Sequence, residues 1–382
     1  MNIKGTPEQV ELIKKMGSAN KVEAMEAQHA FASFITAPVL QSIKEADVST
    51  SIFEDLEFAD DDAQTIPLDL YYDNNFAGYT SIWTSTVDDG MATNLIDVPT
   101  KELQLQTFEL KSAVSFLRKH AEKGRLSVVA DSMEHFVNEF VHKKNINSWN
   151  VIMAALATGA TLRGKNVSFS TASSVPNVLR SAGATLQMKD LSDMITRSKK
   201  QNVSKFGGTP ASYKGIKGND LFVSYDVMGQ IREFAFNPIR SDASASTTNS
   251  TALPAGEREK IFASAGASEF FGLMISELAE LGLGNSFNSL FDTYAGSNSF
   301  TRIDATNGSA FTGSSDEILV LIDSKSKAFR RPVILNSESK GQLLISPDDQ
   351  FAARTKKMGF YAEMVEGYVC LDQRKVTGLM LG

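Results

Sequence analysis

The sequence predicts an α+β fold, and three observations carry that prediction. Apolar residues recur at helical spacing over 126–157, which indicates a long amphipathic helix. Within 66–100, and again within 346–382 at the end of the chain, the character of the side chains alternates with a period of two residues, which is typical of β-strands. Between them, 165–345 mixes helical and strand patterns. Helices and strands are therefore both expected, with the long helix as the element around which the others are arranged.

The stretch 126–157 is expected to form two helices. The apolar residues of its first part share one stripe: Val129, Met133, Phe136, Val137, Phe140 and Val141. Asn145 and Asn147 then predict a break, because asparagine favours turns over helix interiors. The second helix is more apolar, contains Trp149 and Ile152, and is expected to be buried.

Residues 1–65 predict short helices without a core of their own. Pro38 is expected to end the second helix or to start a third, because proline cannot donate the backbone hydrogen bond of a helix interior. Apolar residues such as Phe31 and Phe34 need a surface to cover. We therefore expect an arm that packs on other parts of the chain or on another chain.

The arm ends in an acidic run, 54–62, which holds six acids and no base. Such a run predicts a solvated turn. A cation site is the alternative, but these acids lack the ligand spacing and the glycine of a calcium-binding loop.

Residues 66–100 predict a long β-hairpin. From Tyr79 to Val87 the sequence is rich in β-branched and aromatic residues, and alternate side chains would lie on opposite faces of a strand. Asp88-Asp89-Gly90 is typical of a tight turn, and a return strand is expected after it. Neither face is strongly apolar, and a two-stranded hairpin is marginal by itself. We expect it to lie across a neighbouring subunit. Five residues are the candidate contacts: Tyr79, Ile82, Trp83, Asp89 and Gly90.

The remaining stretches alternate between strands and helices. Residues 103–110 predict a strand and 111–124 a helix. Further on, buried strands are expected at 221–224 and 317–322, and helices at 191–198, 226–236 and 255–281. Three stretches rich in small or charged residues are expected to be surface loops: 197–219, 241–253 and 296–315.

Composition narrows the classes of function. The 382 residues carry a net charge of −7, whereas a protein whose main task is to grip nucleic acid is usually basic. The single cysteine, Cys370, excludes an intramolecular disulfide and is expected to be a small core residue. There is no apolar signal core at the start, and the longest nearly apolar run, 151–162, is too short to span a bilayer. We expect a soluble protein made in the cytoplasm, without a membrane partner.

One stretch resembles a phosphate-binding loop. Residues 159–166 match its glycine and lysine positions, but Asn166 stands where Ser or Thr would hold magnesium. The stretch also follows an apolar helix, whereas a phosphate-binding loop follows a strand and opens a helix. A nucleotide-binding enzyme that uses 159–165 is therefore an alternative that the context disfavours.

No other chemistry is indicated. His135, Glu139 and His142 share one helix face, but a di-iron site needs a second Glu-x-x-His pair and two more carboxylates. The sequence has no nucleophile elbow, no paired-cysteine zinc pattern and no HExxH motif. We therefore predict no enzymatic activity, no catalytic residue, no bound metal and no cofactor.

The order of the parts resembles that of the major capsid proteins of tailed bacteriophages, which have the Hong Kong 97-type fold. Two passages carry the resemblance: FELKSAVSFLRKHAEKGRLSVVADSMEHFVNEFV is similar to the lead into the family's spine helix, and MGFYAEMVEGYVCLDQRKVTGLML to its closing strands. In the family's terms, the parts are an N-terminal arm at 1–65, an extended hairpin loop at 66–100, a peripheral domain with the spine helix at 101–165 and 340–382, and an axial domain at 166–339.

The resemblance implies a structural protein. Such chains self-assemble as hexamers and pentamers into an icosahedral shell around double-stranded DNA, and a mildly acidic chain suits a wall that must not hold the DNA tightly. It also implies a place in the virion capsid after synthesis in the host bacterial cytoplasm, with portal, scaffolding and decoration proteins as partners. Because the arm begins near Met1, a separate scaffolding protein or none is expected. An encapsulin, a bacterial shell protein of the same fold, is the nearest alternative.

Overall fold

The computed structural model describes the chain with gaps. The described residues are 7–18, 20–67, 102–124, 126–157, 161–162, 165–166, 177–181, 183–200, 218–236, 256, 269–270, 272–297, 299–300, 309–326, 328–336, 342–348, 357–371 and 373–382. Most of the predicted hairpin lies outside them, including Tyr79, Ile82, Trp83, Asp89 and Gly90. The predicted loop 241–253 lies outside them as well.

Seven α-helices and eighteen strands are formed by the described residues. The helices are α1 Pro7–Met16, α2 Lys21–Ala46, α3 Arg118–Glu122, α4 Leu126–Ala157, α5 Met188–Lys200, α6 Tyr225–Phe236 and α7 Ser286–Ala295. The first nine strands are β1 Glu54–Ala59, β2 Thr65–Pro67, β3 Glu102–Gln104, β4 Phe108–Leu117, β5 Thr161–Leu162, β6 Lys165–Asn166, β7 Val178–Arg180, β8 Asp220–Val223 and β9 Glu269–Phe270. The other nine are β10 Leu273–Glu277, β11 Ser299–Phe300, β12 Ser309–Ala310, β13 Glu317–Ile322, β14 Phe329–Leu335, β15 Leu344–Asp348, β16 Lys357–Glu366, β17 Val369–Cys370 and β18 Val376–Leu381.

The chain divides into two compact units. The first unit consists of 1–65, 104–149 and 330–369, and the second of 66–103, 150–329 and 370–382. Helix α4 contributes its longer, N-terminal part to the first unit and its last turns to the second.

The sheet of the first unit is organised around β16. Its strand order is β1-β14-β16-β15, with β17 beside β14 and β4 on the other edge of β16. Strands β4 and β16 are antiparallel and pair over their whole length, from Lys357 opposite Leu117 to Glu366 opposite Phe108. Alternate residues of β16 therefore face one side, which is the pattern expected for a half-buried strand.

The core of the first unit lies between this sheet and the helices α1, α2 and α4. The predicted apolar stripe of α4 is confirmed, since all its members are buried except Val141, which is half-buried against the others. On the facing strand β16, Met358 and Phe360 belong to the same core. The ring of Phe31 on α2 lies 5.5 Å from that of Phe360. The N-terminal helices thus pack on another part of their own chain, one of the two surfaces expected for them.

The second unit contains a six-stranded sheet in the order β7-β18-β13-β8-β10-β9. Strands β7, β18, β8 and β10 are parallel, while β13 runs antiparallel between β18 and β8. All six residues of β13 are buried, as the predicted strand 317–322 requires. Helices α5 and α6 cover this sheet with residues such as Leu191, Met194 and Ile231. The predicted strand at 221–224 and helix at 226–236 are confirmed within one residue.

Two predicted helix ends are wrong. Helix α4 continues through Asn145 and Asn147, and α2 continues through Pro38. Tertiary burial explains both, since Trp149 and Ile152 on α4 are buried. On α2, buried residues flank the proline, and this burial outweighs the hydrogen bond that proline cannot donate.

Three segments that were expected to be helix or turn are strands. Residues 111–117 belong to β4 because β16 pairs with them throughout, and only 118–122 are helical. Residues 54–59, expected to be a solvated turn, form β1 because β14 pairs with them. In the predicted helix 255–281, Glu269–Phe270 and Leu273–Glu277 form the antiparallel strands β9 and β10, and Gly272 takes a left-handed φ of 74°.

The end of the chain also differs from expectation. Residues 340–382 were assigned to one part together with 101–165, but Val376–Leu381 pairs with β13 and β7 in the second sheet. Cys370 is half-buried rather than fully buried. In the predicted surface loop 296–315, Phe300 and Phe311 are buried against Phe291, at ring distances of 5.7 and 4.8 Å.

The packing of α2 yields a stability prediction. Replacing Phe31 by Ala removes a ring that is only 4% exposed and should lower the free energy of unfolding by about 3–5 kcal/mol. Phe34→Ala is the matched control on the same helix; its side chain is 52% exposed, and the change should stay within about 0.5 kcal/mol. Urea unfolding followed by circular dichroism measures both. Equal losses would show that α2 does not bury its Phe31 side.

Candidate functional site

The three side chains considered above as metal ligands are placed where solvent reaches them. His135, Glu139 and His142 are all exposed on α4. Within the described ranges, no group of three or more His, Cys, Asp or Glu side chains is arranged to hold a metal ion. The absence of a metal remains a prediction. None of the helices in the described ranges has the length and apolar character needed to cross a membrane.

The resemblance to a phosphate-binding loop is not supported by the backbone. Thr161 pairs with Asn166 and Leu162 with Lys165, in two short antiparallel strands. Lys165 and Asn166 therefore lie in a strand, whereas the lysine of a phosphate-binding loop opens a helix. Gly159 lies outside the described residues.

A buried cluster of charges in the first unit is the most distinctive polar feature of the described residues. Its members are Asp47 after α2, Asp55 on β1, Lys144 on α4, Arg331 on β14 and Glu366 on β16. We call this group the charge cluster. All but Asp55 are buried, and Asp55 is half-buried. Because an ion is strongly disfavoured away from water unless it is paired, the cluster links the five elements that supply its members.

Asp47 is the centre of the charge cluster. Its Oδ2 lies 3.2 Å from Nζ of Lys144 and 3.1 Å from Nη1 of Arg331. Its Oδ1 accepts hydrogen bonds from the backbone N–H and the hydroxyl of Ser49, at 2.9 and 2.5 Å. Its own backbone N–H donates to the carbonyl of Ile43. One carboxylate therefore receives both cations and fixes the end of α2.

Lys144 joins Asp47 to the sheet. Its Nζ also lies 3.2 Å from Oε2 of Glu366, and the hydroxyl of Tyr368 donates to Oε1 of Glu366 at 2.9 Å. Burial, together with the negative charges of Glu366 and Asp47, raises the pKa of Tyr368 far above its ordinary value. The phenol therefore stays neutral and remains a hydrogen-bond donor at physiological pH.

Arg331 joins Asp47 to the edge strand. Its Nε lies 2.5 Å from Oδ1 of Asp55, whose Oδ2 accepts from Nε2 of Gln342 at 3.4 Å. Burial alone would raise the pKa of Asp55, but the charge and hydrogen bond of Arg331, aided by Gln342 and Lys44, hold it below its usual range. A lowered pKa means that Asp55 stabilises the fold above about pH 4. This contribution is lost as the pH falls through the lowered value.

The ion pairs of the charge cluster hold secondary-structure elements together. It contains three carboxylates and two cations, and each carboxylate contacts at least one cation. The sequence patterns did not reveal it, although one signal was available. Lys144 falls four residues after Phe140, on the apolar stripe of α4. A lysine at such a position predicts a buried partner of opposite charge.

The charge cluster yields a second stability prediction. Replacing Lys144 by Ala leaves Asp47 and Glu366 close together and under-compensated, and should cost about 3–5 kcal/mol. Lys143→Ala is the matched control, because Lys143 is the exposed neighbour and the net charge changes by the same amount. Thermal unfolding of both variants measures the difference. A loss as small as that of the control would contradict the assignment of Lys144 as a structural anchor.

Comparison with known proteins gives matches only at the level of structure. Neither a protein-family model nor a characterised protein sequence matches the chain. A chain of the capsid of the cyanophage P-SCSP1u is 11% identical with a TM-score of 0.50, over 88% of both chains. A chain of the mature capsid of bacteriophage PhiM1 is 10% identical with a TM-score of 0.48, over 88% of this chain and 87% of that one. The SrpI encapsulin of Synechococcus elongatus is 9% identical with a TM-score of 0.35, over 73% and 74%.

The cyanophage likeness extends over most of both chains. At 11% identity it concerns the fold, and it agrees with the resemblance that the order of the sequence elements predicts. The chain therefore has the α+β fold of the major capsid proteins of tailed bacteriophages.

Proposed function

We propose that this chain is a structural capsid protein that self-assembles as hexamers and pentamers into an icosahedral shell around double-stranded DNA. The observation that carries the proposal is the fold shared with the cyanophage capsid chain over 88% of both chains. A shell protein works by burying surface against its neighbours and needs no active site. The net charge of −7 supports the proposal further, since an acidic wall does not hold DNA tightly.

We assign the parts of the chain on the same basis. The strands of the first sheet other than β1, with α4 as the spine helix, would be the peripheral domain, and the sheet of the second unit the axial domain. The axial domain would then include Val376–Leu381, which pairs in the second sheet. Residues 1–65 would be the N-terminal arm and 66–100 the extended loop.

The extended loop would contact a neighbouring subunit through Tyr79, Ile82 and Trp83, with Asp89 and Gly90 at its turn. This assignment rests on the sequence alone, because these residues lie outside the described part of the chain. The physical support is that a two-stranded hairpin without a strongly apolar face needs a further strand or surface to become stable.

The partners and the location follow from the proposed role. We propose further copies of the chain as the main partner, together with the portal, scaffolding and decoration proteins of the same virion. The packaged DNA would be enclosed without sequence-specific binding. The chain would be made in the host bacterial cytoplasm and end in the virion capsid.

Electron microscopy of the purified chain tests the proposal. We expect closed shells or capsomer rings, because the proposed contacts between copies favour assembly as protein concentration rises. A monomer at every salt and protein concentration tried, with no particles in infected cells, would contradict it. Particles from the native source should contain DNA. Particles filled with a cargo enzyme instead would identify an encapsulin-type shell.

The extended loop yields a separate prediction. Replacing residues 79–94 by a short Gly-Ser linker should leave a folded, soluble chain with a near-normal melting transition, but one that forms no complete shells. The reason is that the hairpin is proposed to stabilise contacts between subunits and not the fold of one subunit.

The matched control replaces 241–253, a stretch of small polar residues, by a similar linker and should retain shells. Circular dichroism measures folding and electron microscopy counts shells. Aggregation of the 79–94 variant would place the hairpin in the core of its own subunit. Normal shells from that variant would show that the loop does not govern assembly.

A further inference from the structure

Strand β1 occupies the edge of the first sheet. Its six residues pair in parallel with β14, from Glu54 opposite Arg330 to Ala59 opposite Leu335, and no other described strand pairs with it. An edge strand has backbone bonds on one side only, so its attachment depends more on its side chains than that of a central strand does.

The side chains of β1 contribute little apolar burial. None of its six residues is fully buried, and Leu56 and Phe58 are only half-buried. Strand β16 differs in this respect, since Met358 and Phe360 belong to the core of the first unit. The core contains no residue of β1 among its members.

Ion pairs join two side chains of β1 to β14. The first two register pairs of the strand, Glu54 with Arg330 and Asp55 with Arg331, are also ion pairs. Glu54 is 38% exposed, so water and salt weaken its pair with Arg330. Asp55 is 27% exposed and Arg331 only 1%, so water reaches the second pair from the side of β1. The strand is therefore attached by backbone bonds and by two partly solvated ion pairs.

We propose that β1 is an electrostatically held edge strand, which opens locally from β14 while the core of the first unit stays folded. Local opening of this kind is expected where few apolar contacts hold an element. The inference concerns one strand of one chain, and it stands whether or not the chain forms a shell.

The groups around Asp55 determine what happens to the charge cluster when β1 separates from β14. Arg331 faces it directly, Gln342 donates to it, and Lys44 acts on it at longer range. Arg331 is shared with Asp47, and the charge cluster continues to Lys144 and Glu366, to which Tyr368 donates. If the charge of Asp55 is removed, Arg331 keeps its bond to Asp47, so the buried part of the cluster stays paired. The loss is confined to the link between β14 and β1.

Amide hydrogen exchange read by mass spectrometry tests the proposal on the full chain at neutral pH. The variant E54Q/D55N keeps the shape of both side chains and one acceptor oxygen in each, and removes their charge. We expect the amides of 54–59 to exchange about tenfold faster than in the unchanged chain, from the loss of two partly exposed pairs. The amides of 31–43 on α2 and of 129–140 on α4 should keep their rates.

The matched control is D60N/D61N, which removes two exposed acids directly after the strand and changes the net charge equally. It should leave the exchange of 54–59 unchanged. E54Q alone, which leaves Asp55 with Arg331, should give a smaller acceleration in the same segment.

Three results would overturn the proposal. One is unchanged exchange of 54–59 in E54Q/D55N, and another is an equal acceleration in all three segments. The third is failure of both E54Q/D55N and E54Q to fold, because it would place these pairs in the global folding unit.

Discussion

The apolar stripe of α4 is the constraint on which the first unit depends. A helix with such a stripe must bury it, and strand β16 provides an alternating face of matching character. Helix α2 covers the same core from Phe31 to Ile43. The arrangement explains why the N-terminal helices, which have no core of their own, are nevertheless folded, and why α2 tolerates a proline in its interior.

The sequence-based predictions agree best with the structure where the spacing of apolar residues alone determines the type of secondary structure. The stripe of α4 and the buried strand Glu317–Ile322 could be predicted for this reason. Residues 111–117 could not, because their strand state depends on pairing with β16, far away in the sequence. The acids of β1 resemble a solvated turn because their arginine partners lie 276 residues further on. Tertiary pairing overrides local preference in both cases.

The two candidate sites differ in what the sequence could reveal. The hairpin contacts, Tyr79 to Gly90, were proposed from an alternating pattern without an apolar face, and they remain a prediction because they lie outside the described residues. The charge cluster was missed, since its members are spread from Asp47 to Glu366 and form no local motif. Only Lys144, on an otherwise apolar stripe, signalled that a buried counter-charge had to exist.

Very different sequences adopt this fold, since it is shared at 11% identity with a cyanophage capsid chain. Apolar pattern and strand pairing therefore specify most of the fold. A buried charge cluster adds little net stability, since desolvation offsets much of the attraction. Its effect is on alternative pairings of the strands. A one-residue shift of β1 along β14 would move Asp55 away from Arg331, and in one of the two directions it would place Leu56 opposite Arg331 and leave a buried guanidinium with one carboxylate fewer. We therefore interpret the cluster as a device that fixes the register of β1 and the end of α2, where the apolar core leaves both underdetermined.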